Sequence, residues 1–187
     1  NYNFFKTVFE DVITKKHATS NSINNRLGDI VRITKNISGG GYNKRNFMLL
    51  GDPALMLKYP DYKMDITQIN GIPTSSYTDT LKALTKVTFK GAISNMDGTL
   101  ANDFDGTASI ALYDKEKSIT NLANDGGSPM TFTVRDNIIY KGSATVVNGQ
   151  FEVSLIVPKD INYRFGSSRL SLFASTNSQF ASGYNES

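Results

Sequence analysis

The side chains that could do chemistry fall mostly in segments that read as loops. Asp97, Asp103, Asp105, Asp125 and Asp136 each sit beside glycine or asparagine. Loop carboxylates that converge can hold calcium, which wants several oxygen ligands at once. Their spacing matches no EF-hand loop, since Asp97-Gly98 lacks the alternating acids and the distal glutamate. Aspartate next to glycine or asparagine is also a foremost turn former, and turns account for these residues without a metal. His17, the only histidine, lies in a polar stretch just past the first helical pattern. A catalytic base needs an oriented partner and a nucleophile within hydrogen-bond reach, and no triad pattern surrounds it. There is no cysteine, which removes disulfides, thiolate metal sites and a cysteine nucleophile. Gly39-Gly40-Gly41 invites a phosphate-cradle reading, but it follows a helix and no Gly-Lys-Ser/Thr appears. A helix stop is the better account. Tyr42, Tyr62, Tyr77, Tyr113, Tyr140 and Tyr163 could stack on sugars, but there is no tryptophan and strand tyrosines more often cap a core. Arg135, Arg164 and Arg169 could bind carboxylate or phosphate, yet they alternate with apolar residues as solvent-facing strand positions do. No catalytic, cofactor-binding or metal-ligating residue is assigned, and no cofactor is implied.

The 187 residues carry 39% hydrophobic, 20% charged and 11% aromatic residues, the composition of an ordinary globular protein. A net charge of +3 with Lys and Arg scattered gives no nucleic-acid patch. No apolar run approaches a membrane span and no signal peptide opens the chain. Asn1-Tyr2-Asn3, leading straight into a helical pattern, is the expected opening of a piece cut from something longer.

The elements change character near residue 60. Phe4, Phe5, Val8, Phe9, Val12 and Ile13 recur at three- and four-residue spacing, predicting a helix with Asn3 as N-cap. Asp11 and Lys15 stand four apart as a helix pair. Leu27, Ile30, Val31 and Thr34 predict a second helix. Phe47, Met48, Leu49 and Leu50 form a short apolar run that predicts a strand buried on both faces. Gly51-Asp52-Pro53 stops it, and is expected to redirect the chain from the helical part into the strand-rich part. Two amphipathic helices and one strand cannot close a core alone, so residues 1–60 must complete or dock onto something else. From Asp61 the rhythm is short strands and turns: 64–69, 87–93, 107–113, 119–122, 130–134, 138–140, 144–146, 151–157 and 169–174, with local pairing expected at 81–84. Asn70-Gly71 and Asn148-Gly149 are tight-turn pairs. This predicts a mainly β chain, an antiparallel β-sandwich over 61–175. The Ser- and Asn-rich end after Ala174 reads as a linker or frayed tail.

Asn46-x-Phe-x-Leu49-Leu50-Gly51-Asp52-Pro53-Ala54-Leu55-x-Leu57, closing on Tyr59-Pro60, resembles the end of the caspase-like domain in gingipain-type cysteine peptidases. Leu27-Gly28-Asp29-Ile30, Lys35-Asn36, Phe104-Asp105-Gly106-Thr107, Tyr140-Lys141-Gly142, Asn148-Gly149-Gln150-Phe151 and Val157-Pro158-Lys159-Asp160-Ile161 extend the match in order. Within the family the pattern is most similar to sortase subunits of the type IX secretion system of Bacteroidetes. The resemblance implies that residues 1–60 are the last helices and strand of an incomplete caspase-like α/β domain, and 61–187 an immunoglobulin-like sandwich with a flexible tail. It also implies that the catalytic cysteine and histidine lie upstream of Asn1, leaving this region without the chemistry.

The expected role is therefore a non-catalytic C-terminal region of a secreted peptidase or sortase at the outer-membrane surface. Its expected partners are the upstream peptidase domain, secreted cargo and outer-membrane subunits of the secretion system. No nucleic acid and no transmembrane segment is expected; a strand left unpaired at 47–50 invites self-association. A different class of function is a free-standing surface adhesion or glycan-binding sandwich, which an exposed aromatic row would favour.

Overall fold

The computed structural model describes residues 2–11, 26–42, 46–124, 126–159, 161 and 166–186. His17, Asp125, Tyr163 and Arg164 lie outside them. Two compact units divide the chain, Asn1–Tyr59 and Pro60–Ser187.

In the first unit, helix α1 (Tyr2–Lys6) runs into a π-helical turn, Thr7–Asp11. A π turn sets carbonyls aside from the usual ladder, and the Tyr59 hydroxyl donates to the Val8 carbonyl at 2.9 Å. Burial pushes the Tyr59 phenol upward. Asn3 does not cap: it lies within α1, and its Nδ2 donates to Ser38 Oγ at 3.1 Å. The second helix, α2 (Leu27–Ile37), lies where its apolar spacing predicted. It has no side-chain N-cap at Arg26. Instead the Leu27 and Gly28 N–H groups donate to the Leu55 and Pro53 carbonyls at 2.9 and 3.0 Å, satisfying donors that a helix start leaves open. A Cβ on Gly28 would stand 2.9 Å from the Pro53 Cβ, so only glycine permits this approach. At the other end the Ser38 hydroxyl donates to the Thr34 carbonyl at 2.7 Å. The unit's core is small: Val8 and Ile30, with Phe4, Leu57 and Tyr59 packed around them.

The strand expected at 47–50 is not formed. These residues carry no ladder, and Phe47, Met48 and Leu50 are exposed. A strand needs a neighbour to satisfy its N–H and C=O groups, and the described residues of this unit contain no other strand. The unpaired edge expected to invite self-association is therefore absent. Gly51-Asp52-Pro53 also acts differently from expectation. Asp52 Oδ1 accepts the Ala54 N–H at 2.8 Å, and the resulting turn carries residues 53–55 back across the start of α2.

The second unit is built from β1 (Tyr62–Ile69), β2 (Ile72–Pro73), β3 (Lys86–Ser94), β4 (Gly106–Tyr113), β5 (Lys117–Thr120), β6 (Thr131–Val134), β7 (Ile138–Val146), β8 (Gln150–Ile156), β9 (Arg169–Ser175) and β10 (Phe180–Glu186). The chain is thus mainly β, as its sequence predicts. The main hydrogen-bonded path is β7-β4-β9-β10-β1-β3-β8, with β2 on β1 and a separate β5–β6 hairpin. Every pairing is antiparallel except β1 with β10, which match only at Tyr62↔Ala181 and Lys63↔Ser182. That narrow seam joins a β8-β3-β1 half to a β10-β9-β4-β7 half, and both halves turn their inner faces onto one core. Met64, Phe89, Ile93 and Val153 come from one half, and Ile110, Leu112, Leu172 and Ala181 from the other.

The alternation that predicted β3, β4, β8 and β9 holds because each has one buried face. In β1 the register shifts between Ile66 and Gln68, so a bulge returns Ile69, rather than Gln68, to the core. Asn148 and Gly149 adopt φ of 50° and 70° and close the β7–β8 turn, the conformation such a hairpin demands. The candidates 138–140 and 144–146 are one strand, β7, whereas 81–84 forms none. The expected frayed tail is β10, paired along its length with β9. Its inward position Ala181 is fully buried, and a Cβ on Gly183 would collide with the Met64 carbonyl oxygen. A strand this small at its contacts carries little apolar signal.

Candidate interaction surface

Three of the expected loop acids, Asp97, Asp105 and Asp136, are engaged locally. Asp97 Oδ1 accepts the Thr99 N–H at 2.9 Å and its hydroxyl at 2.7 Å. These hydrogen bonds, the hydroxyl's foremost, hold the Asp97 carboxyl below its usual range. Asp105 Oδ1 accepts the Asn148 N–H at 2.7 Å, steadying the β7–β8 turn from a different loop. Asp136 pairs with Lys117 at 2.6 Å, and that hydrogen bond lowers its carboxyl too. Among the described residues no three acids or histidines gather as a metal would require.

Arg135 and Arg169 are paired with the chain's own carboxylates. Arg135, with its side chain only 13% exposed, reaches Glu116 at 3.3 Å, Glu186 at 3.6 Å and the Ser167 carbonyl at 3.2 Å. Arg169 reaches the same Glu186 at 3.5 Å and covers the Tyr184 ring at 4.7 Å. Tyr62 packs edge-on to Phe104 at 5.3 Å. Tyr77, Tyr113 and Tyr140 are half-buried and Tyr42 is exposed. The described tyrosines thus form no open row for a sugar. Sequence reasoning passed over Asp114, which is 3% exposed. It accepts from Asn137 Nδ2 at 3.1 Å, and its N–H donates to the Asn137 carbonyl at 2.9 Å. That clamp holds the base of the β5–β6 hairpin; the available signal was an acid directly after the apolar end of β4.

The surface that stands out is apolar and belongs to the helical unit. Phe5 and Phe9 stack at 6.2 Å with both rings more than half exposed, at 56% and 55%. Met48 is 74% exposed and Leu50 89%, with Leu55 and Met56 also open. Exposed large apolar side chains gathered in one small unit are the kind of surface that a partner covers. The Thr34 hydroxyl, buried within the same unit, has no hydrogen-bond partner among the described residues. Among the described residues, the helices bury Val8, Ile30 and Val31 as their only fully buried apolar side chains.

Among solved structures the chain is similar to dimeric latent PorU from Porphyromonas gingivalis, with 31% identity over 86% of this chain and a TM-score of 0.61. It resembles PorU. The matched region is 16% of the PorU chain, so the present chain spans a small part of that protein. The likeness supports the gingipain-type resemblance read from the motif series. It also fits the contact between Gly28 and Pro53, which brings together two of the segments that carried that resemblance. Spo0M, a sporulation control protein from Bacillus subtilis, matches at 14% identity over 68% of this chain and 49% of its own, with a TM-score of 0.41. The outer membrane decaheme cytochrome OmcA matches at 12% identity over 67% and 22%, with a TM-score of 0.31. Those two scores establish no shared fold. No protein-family model matches the chain, and no curated protein matches it.

Proposed function

We propose that this chain is the non-catalytic C-terminal region of a secreted gingipain-like cysteine peptidase or sortase of type IX secretion, working at the outer-membrane surface. Residues 1–60 are the closing part of a caspase-like domain, and 61–187 are the sandwich that supports that domain or meets cargo and partner subunits. The observation that carries this reading is the exposed apolar surface of the helical unit, together with the likeness to PorU. An amphipathic helix stabilises a fold only by burying its apolar face. Phe5 and Phe9 have that face without its cover, and Met48 and Leu50 in the non-helical segment are likewise open; an upstream peptidase domain of the same protein is the cover this reading supplies. The chemistry would then reside upstream, in a cysteine and a histidine that precede Asn1.

The test is to express the gene product extended upstream of Asn1 and compare amide hydrogen exchange with that of the present chain. The expected result is strong added protection at residues 2–9 and 46–56, with a Cys–His pair encoded upstream. Equal exchange in the two proteins would overturn the docking reading, and the absence of such a pair would overturn the peptidase assignment.

A further inference from the structure

The two ends of the sandwich are closed differently. At the end where β1 begins, Phe104 and Ala101 are buried and stopper the gap between the halves, with Tyr62 against the Phe104 ring. At the opposite end a cavity of about 620 Å³ remains. Its floor is made by Ile69, Phe89 and Val157 from one half and Leu112, Leu170 and Ile139 from the other. The register places all of these at one end, since Leu112 pairs with Leu170 and Ile69 with Phe89. The segment after β2 forms a wall with Tyr77, Leu81 and Ala83. At the rim, Asp79 and Lys82 form an exposed ion pair at 3.7 Å. Burial, with Asp79 adding to it, pushes the Tyr77 phenol upward.

The chemistry of this lining is selective. Small-molecule sites commonly enclose roughly 300–1,000 Å³ of mostly apolar wall, and this cavity falls within that range. Among the described lining residues no arginine offers the forked donor that suits phosphate or carboxylate. The sequence has no tryptophan to stack a sugar. The described charges of the lining balance, with Asp79 and Lys82 in an ion pair and Asp114 next to Lys115. What remains is a partly open, mainly apolar cavity, with Tyr77 and Phe89 beside aliphatic side chains and Thr78, Thr80, Ser168 and Asn185 among its polar lining, and an apolar chain bound there gains its affinity from non-directional burial.

We propose that this end of the sandwich binds a single hydrocarbon chain of a lipid-like ligand, with the head group left outside the rim. The inference does not rest on the proposed function, because the cavity lies wholly within the β unit. Leu81 and Ala83 flank the entry as half-buried residues, so widening either side chain closes the slot without touching the strands.

The test is calorimetric titration of the full chain with dodecyl maltoside and with dodecanoate, both below their micelle concentrations, and with hexyl maltoside as a short-chain control. Methyl NMR shifts at Ile139 and Leu170 locate the site. The expected result is saturable one-to-one binding that moves those methyls, with the hexyl ligand weaker by about tenfold or more, or 1.4 kcal/mol and upward. Binding of both dodecyl ligands assigns the chain to an acyl group on any head. Binding of dodecanoate alone assigns it to a free fatty acid. Ala83→Trp should abolish binding, as should Leu81→Trp, each checked for an unchanged melting temperature. No saturable binding, or binding that leaves the Ile139 and Leu170 methyls unmoved, would overturn the proposal.

Discussion

Asp97 shows how completely a carboxylate can be used by its own turn. Two hydrogen bonds from Thr99 favour the charged form and lower its carboxyl. A group whose pKa is lowered on folding contributes stability that is present above the unfolded pKa and lost as pH falls through the folded one. The β3–β4 turn should therefore loosen only below the ordinary carboxylate range. Carbon-detected NMR titration should place the Asp97 midpoint below that of the same residue in a short peptide of residues 95–99. Thr99→Val should raise it, because the hydroxyl is the largest cause; an unmoved midpoint would show that the turn does not hold the charge. Phe89, 1% exposed at the meeting of the two halves, has no such local partner and matters by volume. Phe89→Ala should cost about 3–5 kcal/mol in denaturant unfolding, without changing the Asp97 titration. Both roles were partly legible in the sequence: Asp97-Gly98 reads as a turn, and Phe89 falls on the inward side of an alternating run. The pairing of Arg135 with Glu116 and Glu186 was not, since those residues meet only through tertiary folding.

At the scale of elements, apolar pattern found the strands that pack large side chains and missed the one that packs small ones. β3, β4, β8 and β9 each show a clean alternation, and their predicted limits lie within a few residues of those observed. β10 contributes Ala181 and Gly183 at its closest contacts, and a run of Ser, Gly and Asn around them is indistinguishable from a tail. Yet β10 lies between β9 and β1, in the seam that joins the two halves. Gly183→Val should therefore be far more damaging than its composition suggests. Its Cβ would meet the Met64 carbonyl, and the forced shift should cost about 1–3 kcal/mol or more. Ser182→Ala, one residue away, should stay within about 0.5 kcal/mol. Chemical denaturation of the two variants side by side checks this, and equal stability would mean that β10 does not join the halves. The opposite error occurred at 47–50, where four apolar residues read as a buried strand but have no strand beside them to complete a ladder. Pattern records what a segment is built to bury; it does not record whether the covering element is present.

The chain joins a β unit with an extensive buried core to a helical unit whose apolar face is open, and this asymmetry sets the sign of a mutation. From the sequence, Leu50→Asp should destabilise the chain by placing a charge in a buried strand. In the structure Leu50 is 89% exposed, and a charge there stays hydrated, so the substitution should leave the melting of the present chain within about 0.5 kcal/mol. If an upstream peptidase domain covers this face, the same substitution in the upstream-extended gene product buries an unpaired carboxylate. That should cost several kcal/mol or push the Asp toward its neutral form. Phe5→Asp should follow the same rule, since its ring is open here and belongs to the same unit. Residues 27–28 provide the internal control, because Gly28 lies against Pro53 within the unit itself. Gly28→Val should therefore destabilise both proteins. The measurement is the melting temperature of each variant in the present chain and in the extended product. Leu50→Asp and Phe5→Asp should be silent in the first and destabilising in the second. If they are silent in both, while Gly28→Val is harmful in both, the helical unit is properly folded and its open face serves something other than the upstream domain.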